Sequence, residues 1–191
     1  FNHNQIPRYR VPNHPIQPGS EFNFTFENSR PNWHQKVKSV IFAPLDGEEV
    51  KAGNVLVRGV AWNDGLVPIE AVLVSTDQGR TWIRAKLTSP QSPYAWFHWE
   101  TYVALSRGER EIWVQAVDKL GRAQPLDGTV HWNPRGYEWN GVDIVKVKVL
   151  EVDPVRKRIS LTMKLGTPAQ RPGAPRDNRY EGAGRGQRAP A

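Results

Sequence analysis

Polar and apolar residues alternate along most of the middle of this chain, and a period of two predicts strands rather than helices. In KVKSVIFA (36–43), Val37, Val40 and Phe42 stand near strand spacing, and the chain then turns between Pro44 and Gly47. VLVRGVAW (55–62) reads as a second strand, IEAVLVST (69–76) as a third, and WIRAK (82–86) follows after one turn. In AWFHWETYVA (95–104), Ala95, Phe97, Trp99 and Thr101 fall on one face, with Trp96, His98, Glu100 and Tyr102 on the other. EIWVQAVD (111–118) has the composition of the most buried strand. TVHW (129–132) reads as a short strand and VDIVKVKVLEVD (142–153) as a long, alternating one. Ile159, Leu161 and Met163 alternate with Arg158, Ser160 and Thr162 in one more. No stretch carries a convincing helical period. Short strands with turn signals every ~8–12 residues indicate an all-β, immunoglobulin-like β-sandwich.

The flanks break the pattern. Residues 1–35 are rich in Asn, Pro, His and Arg and read as an extended, proline-stiffened arm, with Phe22, Phe24 and Phe26 alternating like a short β segment on a surface. From Gly166 the chain is Pro, Gly, Arg, Ala and Gln without apolar periodicity. Residues 166–191 therefore read as a disordered basic tail that buries too little to offset its ordering entropy. Between the flanks lie a sandwich over 36–150 and an extra hairpin strand over 151–165. The first residue is Phe1 and the sole Met is Met163, so the chain reads as processed or as a fragment.

Charge and cysteine narrow the chemistry. The net charge of +7 is uneven, with nine Lys/Arg against four Asp/Glu in residues 151–191. A basic end of this kind attracts nucleic acid or an anionic surface. Cysteine is absent, which excludes disulfides, thiolate metal sites and a Cys nucleophile in this chain. Trp packing must then fill the centre that a disulfide occupies in antibody domains. No apolar run approaches the ~20 residues needed to span a bilayer. His3 and His14 lie in the arm, His34 near its end, and His98 and His131 on predicted strands, with no metal-ligand spacing among them. No nucleophile elbow occurs.

Two loops carry structure-forming chemistry. In STDQGRTW (75–82), Asp77 is placed to accept turn N–H groups, Gly79 to take the left-handed conformation, and Trp82 to pack back over the hairpin. The spacing matches the Asp-box of sialidase propellers, but a propeller needs the motif in each blade and it occurs once. HWNPRGYEWNGV (131–142) combines an Asn-Pro turn, Gly136, Gly141 and three large aromatics, and reads as an aromatic-anchored loop closing the sandwich.

These segments carry a resemblance. VIFAPLDGEEVKAG (40–53), VRGVAWNDG (57–65), STDQGRTW, YAWFHWE (94–100), EIWVQAVDKLGRAQP (111–125) and HWNPRGYEWNGV occur in the order found in the dimerisation domain of sulfite oxidase-family molybdopterin oxidoreductases. The arm IPRYRVPNHPIQPG (6–19) resembles the stretch leading out of the molybdenum domain in bacterial sulfite dehydrogenases. The resemblance implies a homodimer, an upstream molybdopterin domain that holds the metal through pterin sulfurs and one Cys, oxidation of sulfite or a related sulfur compound by the parent, and a periplasmic location. It also implies Trp132, Asn133 and Arg135 as contacts to the cofactor domain. Vertebrate relatives place an arginine near AWFHW towards the substrate anion. Here Phe97 takes that position, and the adjacent His98 is either an anion contact when protonated or a plain sheet residue. Residues 142–165 resemble instead the last two strands of the ribosomal-type OB-fold that ends transcription accessory proteins. That resemblance implies nucleic-acid contacts at Arg156, Lys157, Arg158 and Lys164, although the barrel strands that stack bases are missing.

Overall fold

The computed structural model describes residues 3–153 and 158–159, the last four of them as backbone only. In chain order the strands are β1 (Arg10–Pro12), β2 (Ser29–Pro31), β3 (Lys38–Ala43), β4 (Glu49–Lys51), β5 (Gly53–Trp62), β6 (Ile69–Ser75), β7 (Ile83–Arg84), β8 (Lys86–Leu87), β9 (Phe97–Leu105), β10 (Gly108–Asp118), β11 (Asp143–Leu150), β12 (Val152–Asp153) and β13 (Arg158–Ile159). One sheet runs β3-β5-β9-β8 and the other β4-β11-β10-β6-β7. The chain changes sheet at the buried Ala85, because β7 pairs with β6 whereas β8 pairs with β9.

The two sheets face each other over one core, which makes the all-β sandwich. The alternation predicted for β9 holds: Phe97, Trp99, Val103 and Leu105 are buried, while His98 and Tyr102 are exposed. Ile112, Val114 and Ala116 of β10 and Val145, Val147 and Val149 of β11 meet them from the other sheet. Trp99 fills the centre. A Cβ on Gly59 would lie 2.3 Å from the Trp99 ring, so only glycine admits the indole there.

One margin of the sandwich is closed by side chains rather than by strands. The outer edge of β3 would expose backbone N–H groups. Instead Gln124 Oε1 accepts from Ser39 N at 2.7 Å and from Ala116 N on β10 at 2.8 Å. Asp143 Oδ2, at the start of β11, accepts from Ile41 N at 2.8 Å. Gln124 is fully buried, and its Nε2 donates to Ser39 O and Gly141 O at 3.3 and 3.0 Å. A single amide thus staples both sheets to the loop that precedes β11.

Four sequence expectations are corrected. The arm is not simply extended: β1 and β2 form an antiparallel ribbon, and Arg10 is buried with Nε on Ser29 Oγ at 2.8 Å and Nη1 on Ile6 O at 2.8 Å. Phe22 to Phe26 is not a strand, because Thr25 N donates to Asn28 Oδ1 at 2.8 Å and folds a turn there. TVHW is a succession of turns, since Asp127 Oδ1 captures Thr129 N at 2.9 Å and Trp132 N reaches Thr129 O at 3.0 Å. His131 therefore sits in a loop. The long strand at 142–153 breaks at Glu151 into β11 and β12, and β12 pairs with β13. The rest of the extra hairpin strand and the tail at 166–191 lie outside the described residues.

Candidate functional site

The loop between Asp127 and Val142 is held from within. Asn133 is buried, its Oδ1 accepting from Arg135 N at 3.1 Å and its Nδ2 donating to Tyr137 O at 2.8 Å. Gly136 has φ +69°, which brings its N–H to Asn133 O at 2.9 Å. The Trp139 indole donates to Gly128 O at 2.7 Å. Lys38 Nζ sits 4.3 Å over the Trp139 ring and donates to Gly141 O at 2.8 Å. Burial lowers the Lys38 pKa, partly opposed by the charge of Asp143. Asn140 Nδ2 donates to Val37 O at 3.0 Å, which leaves its Oδ1 to accept from His131 Nδ1 at 2.6 Å. That contact selects the Nδ1–H tautomer. Burial pushes the His131 pKa down, so its neutral form is favoured.

The same loop grips the arm. Glu138 carries φ +59°, an uncommon conformation for a side chain of this size, and its carboxylate takes a bidentate contact from Arg30 of β2 at 2.8 and 2.8 Å, with Lys36 Nζ at 3.6 Å. Burial alone would raise the Glu138 pKa, but the Arg30 fork and the two cations hold it below the ordinary carboxylate value. Arg135 lies 3.9 Å over the Phe24 ring and donates from Nη1 to Arg8 O. Tyr137 meets Tyr9 edge-on at 5.7 Å. Between arm and loop is a cleft of about 250 Å³ lined by His14, Arg30, Lys36, His131, Trp132 and Glu138, among others. A neighbouring cleft of about 440 Å³ adds Trp33, His34, Asp64 and Arg122. Arg122 is itself occupied. It reaches Asp64 at 2.6 and 2.8 Å and the fully buried Asp118 at 2.7 Å, and these contacts raise its pKa.

Of the sequence-predicted residues, the structure thus brings Trp132, Asn133 and Arg135 together on the loop that meets the arm. Asn133 spends its amide on the turn, Arg135 on the arm, and Trp132 lines the smaller cleft. His98 stands elsewhere, exposed on the outer face of β9 with its ring 6.3 Å from that of Phe42, and it lines neither cleft. Phe97 points into the core. Arg156, Lys157 and Lys164 lie outside the described residues, and Arg158 is described only as backbone in β13. Glu138, Arg30, Gln124 and Lys38 were not marked by any local motif. Their partners lie 85 to 108 residues away in sequence, and only the fold joins them.

The donor chemistry does not suit molybdenum. The chain has no thiolate to offer, and among the described residues no three His, Asp or Glu gather as a metal site. Among the described residues the clefts are lined by ion-paired cations and by the His131 ring, which bonds Asn140.

A family model described as the Mo-co oxidoreductase dimerisation domain matches residues 29–149. The mitochondrial sulfite oxidase of Drosophila melanogaster is 35% identical over 127 residues, covering 60% of this chain and 22% of that protein. Its Homo sapiens counterpart is 36% identical over 119 residues, covering 59% and 22%. The solved sulfane dehydrogenase SoxCD of Paracoccus pantotrophus superposes with a TM-score of 0.59 at 25% identity, over 76% of this chain and 36% of that one. The chain spans about a fifth of the length of these curated relatives. The matched span ends at residue 149, before the basic hairpin.

Proposed function

Because the chain belongs to the Mo-co oxidoreductase dimerisation domain family of sulfite oxidases, we propose that it serves as the structural and homodimerising part of a molybdopterin-dependent oxidoreductase. The parent acts on sulfite or a related reduced sulfur compound, and a preceding domain binds the cofactor. The cofactor supplies the redox chemistry there. The present chain positions that domain and pairs it with its copy.

One observation carries the reading: the family match over residues 29–149 takes in both sheets and also β2 of the arm. Arg30 and Glu138, which clasp arm to loop, both fall within it. The arm is the segment that leads toward the preceding domain, and Trp132 and Arg135 stand where it meets the sandwich. They are accordingly the contacts proposed to the cofactor domain, with Asn133 shaping the loop that presents them. A periplasmic location is proposed from the likeness to bacterial sulfur-compound dehydrogenases. Nothing observed in the described residues favours nucleic-acid binding over this reading.

The test is the coding sequence immediately upstream of Phe1. An in-frame molybdopterin domain carrying a cysteine ligand is expected. An upstream domain of another kind would contradict the proposal.

A further inference from the structure

The two outer faces of the sandwich differ in kind. On the five-stranded sheet three outward ion pairs form, Lys148 with Glu49 at 2.7 Å, Arg84 with Glu70 at 3.2 Å, and Lys146 with Glu111 at 3.6 Å, and the exposed large apolar side chains there are the aliphatic Ile83 and Ile144. On the four-stranded sheet the outward residues are aromatic. Phe42 on the edge strand β3, Trp96 just before the central strand β9 and Tyr102 within it are 42%, 64% and 63% exposed. Trp62 stacks on Trp96 at 5.4 Å, and His98 meets Phe42 edge-on. Aromatics gathered on one face with few charges among them mark an interface rather than a solvated surface.

The charges that interrupt this face are informative. Arg58 on β5 stands directly across the ladder from Glu100 on β9. Neither makes an ion pair with the other or with any other described residue, whereas Lys146, Lys148 and Arg84 on the opposite sheet each have a carboxylate partner. A cation and an anion side by side on a flat face are self-complementary. A two-fold axis lying in the interface plane, parallel to the strands and passing between the two residues, sets each Arg58 against the Glu100 of the other copy.

We propose that the outer face of the four-stranded sheet, centred on Phe42, Tyr102, Arg58 and Glu100, is the surface on which a second copy of this chain docks. The proposal rests on the dimerisation reading above and assigns it a face.

Sedimentation equilibrium of the full chain tests it. Wild type is expected to be dimeric at micromolar concentration. The Phe42→Glu/Tyr102→Glu double variant is expected to weaken the dimer at least ~30-fold, as removal of buried interface anchors does. Arg58→Glu alone and Glu100→Arg alone should each weaken it by ~10-fold or more, because each sets like charges together. The combined swap should return affinity to within about threefold of wild type, a rescue that damage to folding would not produce. Lys148→Glu on the opposite sheet should change nothing. A wild-type dimer that persists unchanged in the Phe42/Tyr102 and charge variants overturns this face and leaves dimerisation standing. That is also the outcome if the preceding domain, rather than a copy, covers the aromatics. A wild type that stays monomeric overturns both.

Discussion

Replacing Gln124 by methionine should be among the most damaging volume-conserving changes in this chain. The side chain is fully buried and uses its amide in both directions, toward β3, β10 and Gly141. Methionine fills the same space but strands two backbone donors, Ser39 N and Ala116 N. Gly141 O keeps Lys38 as a partner. Each stranded buried N–H costs about 1–3 kcal/mol, so the expected loss is about 2–6 kcal/mol. That is a large fraction of the ~5–15 kcal/mol that stabilises a domain. In urea, with m near ~2 kcal/mol/M, the midpoint should fall by about 1–3 M without a change in slope. Gln124→Glu gives a second, signed readout. The carboxylate oxygen that replaces Nε2 would face the carbonyls of Ser39 and Gly141 in a buried site, which raises the folded-state pKa above its unfolded value. A raised pKa means relative stability is fully present below the unfolded pKa and is lost as pH rises through the folded one. The variant should therefore gain on wild type as pH falls toward 4. A Gln124→Met midpoint within about 0.3 M of wild type would refute the stapling role.

Three further outcomes are expected. Asp77 accepts from Thr81 Oγ1, Thr81 N and Ser75 Oγ, which lowers its pKa to about 2. The hairpin's contribution should hold above the unfolded carboxylate value and fade as pH falls toward 2, a fade absent in Asp77→Asn when followed by NMR. Glu138→Gln should loosen the arm by about 1 kcal/mol, and hydrogen exchange at the Asn32 amide, which bonds Tyr9 O at 2.7 Å, should speed up about fivefold. Unchanged exchange would mean the clasp does not hold the arm. Gly59→Ala would place a Cβ 2.0 Å from Val40 O and 2.3 Å from Trp99, so a loss near ~3 kcal/mol is expected in thermal melts.

Much of the sandwich was legible because period-two alternation is a local property. β9 shows Phe97 and Trp99 inward and His98 and Tyr102 outward, as its spacing implied. The Asp77 hairpin was equally readable, since Ser75, Asp77, Gly79 and Thr81 bond within five residues of one another. Capture by turn-forming side chains misled the reading elsewhere. Asp127 folds TVHW into turns, and Asn28 does the same to the Phe22–Phe26 run. The candidate site was half visible. Asn133, Gly136 and Trp139 announce a shaped loop, but its grip on the arm depends on Arg30 meeting Glu138 across 108 residues. No spacing rule reaches that far.

We propose above that this chain pairs with a copy of itself. Sedimentation velocity of the purified full chain, from submicromolar to about 100 µM, tests it most directly. A dimer that dissociates only on dilution is expected, in keeping with an interface of standard size. A single monomeric boundary at every concentration would contradict it.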